Sequence, residues 1–263
     1  MPNKRYAKLI IVLIPVAFLA AYLSLQLSLQ FVGRELPLWL RIYCLVYIAT
    51  MAAIVVMGLV SSLWLKLPIK DMAFGFGKRW FRTNIAGIPI SFGIFLFGGY
   101  VKHGDEMHHI GWRRCVVELS GCTLLLVFAA IIMGRAAASD VFVLWRHLVE
   151  GALSPFGQAQ FLLMDLGRHI AGLDELSTLA VVSFGVAAIN LLPLPLFSGG
   201  NAIMYFVDAA LYPLTSRAQE QAFRAGFLVM LFGYGSWLIA LLYLAYNSWA
   251  RTSLGWLARS ALM

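Results

Sequence analysis

The sequence predicts an all-α polytopic membrane protein with about five transmembrane helices, a membrane-associated β-hairpin or loop, and one broken helix. Three observations carry this. Of 263 residues, 61% are hydrophobic and 12% charged, against roughly 45–50% and about 25% in soluble domains. Long uncharged runs recur along the chain, and a helix needs about 20 apolar residues to cross a bilayer. One such run, between Glu175 and Asp208, carries Pro193, Pro195 and the pair Gly199–Gly200. A helix so interrupted must satisfy its freed backbone groups inside the protein.

The elements follow in order. Lys4, Arg5 and Lys8 precede an uncharged run over 9–33, too long for a cleaved leader and expected to stay as a signal-anchor helix. A second span is expected over Ile42–Leu65, between Arg41 and Lys66. Lys66 to Arg114 holds eight Lys/Arg and alternates, as in Ala73–Gly77 and Ile88–Ile94. Short aromatic and β-branched runs between glycines read as strands. They must pack on protein, because open sheet edges are not tolerated in lipid. Cys115–Gly134 is the third span, with Glu118 near its entrance facing Arg113 or Arg114. Residues 139–172 mix Trp145, Leu148 and Phe161 with Arg146, Glu150, Asp165 and Arg168, an amphipathic connection at the surface. The fourth span starts near Ser177, breaks at Pro193–Gly200 and resumes to Val207. The fifth covers Ala225–Ala250.

One membrane domain over 1–263 suffices: an extra N-terminal helix (1–34), a core (35–250) and an interfacial tail (251–263). With the N-terminus inside, 13 of the 20 Lys/Arg fall on the cytoplasmic side. The positive-inside rule then places the N-terminus in the cytoplasm and the C-terminus outside, in a bacterial inner membrane. The net charge of +8 belongs to those loops. No basic run interleaved with aromatics suggests nucleic acid, and the expected partners are membrane lipid and a transmembrane helix of another membrane protein. Cys44, Cys115 and Cys122 lie in apolar context without a Cys-x-x-Cys and read as small buried hydrophobes. Gly58, Gly226, Gly233 and Gly235 allow close helix approach, within the chain or to a partner helix.

Three stretches together resemble the site-2 protease family of intramembrane zinc metalloproteases. Phe74-Gly75-Phe76-Gly77-Lys78 with Phe97-Gly98-Gly99-Tyr100-Val101-Lys102 is similar to the pair flanking the family's β-loop. Ser154-Pro155-Phe156-Gly157-Gln158-Ala159 is similar to its Gly-Pro-x-Gly-x-Ala element. Asn190-x-x-Pro193-x-Pro195 is similar to the Asn-x-x-Pro-x-Pro that precedes Asp-Gly-Gly-His. The family's PDZ insertion has no counterpart here.

The resemblance implies a zinc site: His-Glu-x-x-His on the span before the β-loop and an Asp on the broken span. Two histidines one turn apart, a glutamate base and a third ligand are what such a site needs. Ile54-Val55-Val56-Met57-Gly58 stands where the first motif should fall. The first histidine is His103, and no two of the five (103, 108, 109, 147, 169) are four apart. Ser198 stands where the Asp is expected and Asn201 where the His is. Gly121–Leu125 replaces the family's Gly-Pro-x-x-Asn.

From these losses at Ile54, Gly58 and Ser198 the sequence leads one to expect no metal, no cofactor and no catalytic residue: a pseudoprotease, not an enzyme. It would bind a membrane segment, or serve as scaffold or subunit of a membrane complex. The expected groove comprises Gly98, Gly99, Tyr100, Asn190, Pro193, Pro195, Ser198, Gly199, Gly200 and Asn201. Two other readings stay open: a transporter or channel subunit, and an active intramembrane protease with an unrecognised site. Ser198 and Asn201 otherwise cap the helix after the break, and Asn190 ties to carbonyls freed near Pro193 and Pro195. Ser61, Ser62, Ser183 and Ser236 lack a histidine partner in their own runs. His103, Asp105, Glu106, His108 and His109 read as a solvated loop more readily than as a metal site.

Overall fold

A computed structural model describes residues 15, 19–26, 37–85, 88–103, 111–134, 141–194, 197–211 and 216–260. Most of the expected N-terminal span, the 104–110 histidine loop, Pro195 and residues 261–263 lie outside these.

Helix α1 (Leu38–Leu59) starts behind Pro37, whose ring fixes φ near helical values and whose carbonyl accepts from Leu40 and Arg41 at 2.9 and 3.0 Å. Beyond Arg41 its apolar residues do not gather on one face, as in a helix that is buried or spans a membrane. Its end widens into a π turn over Val60–Trp64. Strands β1 (Ile69–Ile85) and β2 (Ile88–His103) form the expected hairpin. Thr83, Arg82 and Phe81 pair with Ile90, Ser91 and Phe92. The sheet also curls. Met72, Ala73 and Phe74 pair with Val101, Tyr100 and Gly99 on one side and with Ile90, Ser91 and Phe92 on the other. The first part of β1 therefore has both edges taken, which leaves residues 100–103 as an outer edge.

Helix α2 (Gly111–Met133) returns beside α1. A Cβ on Gly121 would lie 2.8 Å from the Ala53 carbonyl oxygen, so a small residue is what lets these two backbones approach. Helices α3 (Val141–Leu153) and α4 (Gln158–Ala171) follow. Then come α5 (Glu175–Asn190), α6 (Ser198–Leu211) and the long α7 (Ser216–Ser260). Asp174 caps α5, accepting from the Ser177 N–H at 2.8 Å. Pro193 has no N–H to continue the helix; α5 ends at Asn190 and α6 opens at Ser198.

Two cores result. Phe74, Met72 and Ile90 of the sheet pack on Met51, Ile54 and Val55 of α1. Leu45 and Ile48 of α1 pack with Cys122, Leu125, Val182, Val186 and Tyr22. At the α1 start a polar clasp joins the chain ends of this second core. Arg41 reaches the Glu175 carboxylate at 2.9 Å, the Leu173 carbonyl at 3.0 Å and Thr178 at 2.7 Å. Tyr22 donates to the same carboxylate at 2.7 Å.

Among the described residues, three helices are long and apolar enough to cross a membrane: Leu40–Trp64, Gly111–Met133 and Arg224–Ser248. The described residues bear out these three of the expected five, and most of the expected N-terminal span lies outside them. The expected fourth span is split by its prolines into α5 and α6, 16 and 14 residues long, each short of a crossing. Ser198–Gly200 open α6 and are not part of the break. The expected interfacial tail from Arg251 continues α7 as helix to Ser260.

The 139–172 connection is two helices whose turn grips the middle of α7. Trp237 donates to the Leu148 carbonyl at 3.0 Å, and Gln160 to the Ala240 carbonyl at 2.7 Å. Ser236 donates to the Ala152 carbonyl, and Phe156 meets Tyr243 edge to face at 5.1 Å. Gly151 makes this fit possible, since a Cβ there would sit 2.2 Å from the Trp237 ring.

Candidate functional site

The outer edge of β2, the first turns of α2 and the first turns of α6 enclose a cavity of about 310 Å³. Tyr100, Val101, Lys102 and His103 come from the strand, Arg114 and Glu118 from α2, and Asn201 and Tyr205 from α6. Both helix pairs are four apart, so each places its two side chains on one face. Four consecutive strand residues reach the same space, as expected where a cavity runs along a strand edge rather than under one face of the sheet.

Glu118 accepts from the side chains of Ser198 and Asn201. Sequence reasoning faced it towards Arg113 or Arg114 at the span entrance. The helix begins four residues earlier than expected, which carries Glu118 inward to α6. Ser198 and Asn201 accordingly spend their side chains on the carboxyl, where capping of α6 was the expectation. The Arg114 guanidinium lies over the Tyr205 ring at 5.6 Å. The Tyr100 hydroxyl donates to Asp71 at 3.0 Å, and Arg79 reaches the same carboxylate at 3.1 Å. Burial first, then Asp71, holds the Tyr100 phenol above its ordinary range.

His103 closes one end of the cavity, and its Nε2 meets the hydroxyl of Ser61. Ser61 is wholly buried in the π turn after α1. Burial, then the nearby Arg114 charge, holds the His103 imidazole below its ordinary pKa. Ser61 has no histidine in its own apolar run. The hairpin brings the two together over 42 residues.

The other expected groove residues are placed as follows. Gly98 and Gly99 have φ of 81° and 149°. A Cβ on Gly99 would lie 2.2 Å from the Ala73 oxygen and 2.4 Å from Ile54 Cδ1. Asn190 donates to the Val186 carbonyl at 2.9 Å, one turn back in α5, where a tie to carbonyls near Pro193 and Pro195 was the expectation. Pro193 is exposed in the break. Gly199 lies against the Leu191 carbonyl, where a Cβ would be 2.2 Å from the oxygen, and Gly200 is buried beside it. Of the expected set, Tyr100 and Asn201 line the cavity and Ser198 touches it through Glu118. His103, Arg114, Glu118 and Tyr205 were not in that set. The signal for two of them was a pair of ionisable residues, Arg114 and Glu118, one turn apart on an otherwise apolar helix.

The residues at the family's ligand positions do not fit a zinc ion. Ile54 packs its side chain on Gly99, and the Met72 thioether covers Gly58, with Met72 Cε 2.9 Å from where a Cβ would stand. Ser198 is engaged by Glu118. Among the described residues, no three of His, Cys, Asp and Glu come together to hold a metal.

The sequence matches the family model described as Peptidase family M50 over residues 59–233. A protein of Mesorhizobium japonicum (strain LMG 29417 / CECT 9101 / MAFF 303099) named "Putative zinc metalloprotease mll0638" is 42% identical over 53 residues, 20% of this chain and 14% of that protein. These matches overturn the expectation of a pseudoprotease that is not an enzyme, because both point to a protease. That expectation rested on a missing motif. The fold gathers ionisable groups from separate elements that no local motif shows.

Proposed function

This chain belongs to peptidase family M50, and from that premise we propose that it takes up a membrane-spanning segment of another membrane protein and hydrolyses a peptide bond in it. The observation that supports this reading is the outer edge of residues 100–103 beside the polar cavity. An extended segment can add to such an edge through main-chain hydrogen bonds, and unwinding it exposes the amides that hydrolysis needs. In this reading the α5–α6 break supplies further backbone groups, and Asn190, Pro193, Ser198, Gly199 and Gly200 form the groove's far side.

The reading also places the chain in a bacterial inner membrane, N-terminus in the cytoplasm and C-terminus outside. The N-terminal helix and the α5–α6 tandem then bring the crossings to five. The basis is the Lys/Arg distribution. A photocrosslinking residue at Lys102, set against one at the exposed Phe161 of α4, tests the uptake. Capture of a reporter's membrane segment at Lys102 alone is expected. Equal capture at both positions, or lipid only, refutes the reading.

A further inference from the structure

We propose that His103, positioned by Ser61, is the acid–base residue of peptide hydrolysis in this cavity, an inference that rests on the reading that the chain cuts a membrane segment. The residues where the family would bind zinc are filled with Ile54 and Gly58 under Met72. The groups able to move a proton lie instead along the β2 edge and the facing helices.

The geometry divides the imidazole's two nitrogens. Nε2 meets the hydroxyl of Ser61, which is wholly buried. If Nε2–H donates to that oxygen, Nδ1 carries the lone pair and is the nitrogen left for the cavity. This is the arrangement by which a fixed hydrogen bond on one ring nitrogen sets the work of the other. Burial and Arg114 keep the ring neutral near pH 7, the state a general base needs. The other titratable groups sharing the cavity are Arg114 and Glu118 of α2, Tyr205 of α6, and Tyr100 and Lys102 of β2. Glu118 is held by Ser198 and Asn201.

The step balances without a co-reactant other than water. Nδ1 takes a proton from water as its oxygen bonds to the carbonyl carbon of a segment lying on the 100–103 edge. The carbonyl oxygen becomes an oxyanion, and the Arg114 guanidinium is a cation in the same cavity to receive that charge. The C–N bond then breaks, and the proton on Nδ1 passes to the leaving nitrogen. The products are a carboxyl and an amine, and His103 is returned neutral. In this scheme His103 and Arg114 touch the reacting atoms, and Ser61 acts through His103.

The test uses the full chain in proteoliposomes with a fluorescent membrane-spanning reporter peptide, measuring binding by crosslinking at Lys102 and cutting by release of dye. His103→Gln is expected to lower kcat by roughly 10²–10⁴-fold with KM little changed. Ser61→Ala is expected to lower kcat about tenfold, as loss of a positioning hydrogen bond does. It should also move the acid limb of the pH–rate profile to lower pH, because the hydroxyl no longer favours the imidazolium. His169→Gln, exposed on α4, leaves the rate alone, and so does 1,10-phenanthroline. Cutting abolished by that chelator overturns the proposal, as does wild-type cutting by His103→Gln. Should that variant not fold, His103→Asn takes its place, and a wild-type profile without an acid limb is decisive by itself. Cutting that the chelator abolishes, or that survives His103→Gln, sinks this inference alone and leaves the reading of a segment-cutting protease standing; a reporter bound but uncut sinks the inference and the hydrolysis half of that reading, and leaves uptake standing. A reporter neither bound nor cut sinks both.

Discussion

Replacing Gly99 by alanine should loosen the sheet that forms one wall of the cavity. The residue has φ of 149°, where a side chain costs roughly 1–3 kcal/mol. The new methyl would also stand 2.2 Å from the Ala73 oxygen and 2.4 Å from Ile54 Cδ1. The oxygen belongs to backbone already paired in the sheet and cannot step aside, so β2 must move by about 1 Å away from β1 and α1. Overpacking of this kind costs about 1–3 kcal/mol, for a total of about 2–6 kcal/mol. At roughly 2–4 °C per kcal/mol for a chain of this size, thermal unfolding in detergent should fall by about 4–24 °C. Gly233→Ala in α7 is the control, since a Cβ there meets nothing within 4 Å and alanine favours helix by up to about 1 kcal/mol. A Gly99→Ala protein melting within about 2 °C of the wild type would refute the reasoning, because the close approach would then not be held in solution.

Arg41→Leu removes the cation that binds Glu175, Leu173 and Thr178, and thermal unfolding should show a loss of about 1.5–3 kcal/mol. Glu175→Gln, which keeps an acceptor for Tyr22, should lose less. Gly151→Val drives a side chain into Trp237 and should free the α3–α4 turn, seen as faster proteolysis between Leu148 and Gln160. The His103 pKa is depressed in the folded protein, so the unfolded chain binds the proton more readily. Its contribution to stability is therefore complete above about pH 6.5 and lost as pH falls towards the folded value. His103→Gln should flatten that part of the melting-temperature profile between about pH 7 and pH 5.

The long apolar runs and the glycine-punctuated hairpin were legible because their signals are local. Helices at Leu40–Trp64, Gly111–Met133 and Arg224–Ser248 fall on three of the runs read from composition. The strands fall where aromatic and glycine residues alternate. The cavity was less legible, because it is assembled from separate elements. Ser61 and His103 bracket the hairpin, so closing its open end brings them together. That follows from the strand pairing of Ile69 with His103 and from nothing in either residue's neighbourhood. The inward turn of Glu118 depended on where α2 begins, and a boundary four residues off reversed its partner. Gly98 and Gly99 were expected to line a groove. The structure gives Gly99 a different reason, the room needed where β2 crosses Ala73 and Ile54.

The hold of residues 148–160 on α7 reaches across 80 to 89 positions of chain. On a ribosome adding about 5–20 residues per second, the carbonyls of Leu148 and Ala152 emerge roughly 4–18 s before the tryptophan and serine that bind them. During that interval the amphipathic pair lacks its α7 partner and is tied to the rest of the fold through Trp145, which donates to the Ala188 carbonyl of α5 at 2.7 Å. Assembly is therefore completed from the C-terminal side, and a chain halted short of Ser236 would hold these helices by their α5 contact without the α7 grip.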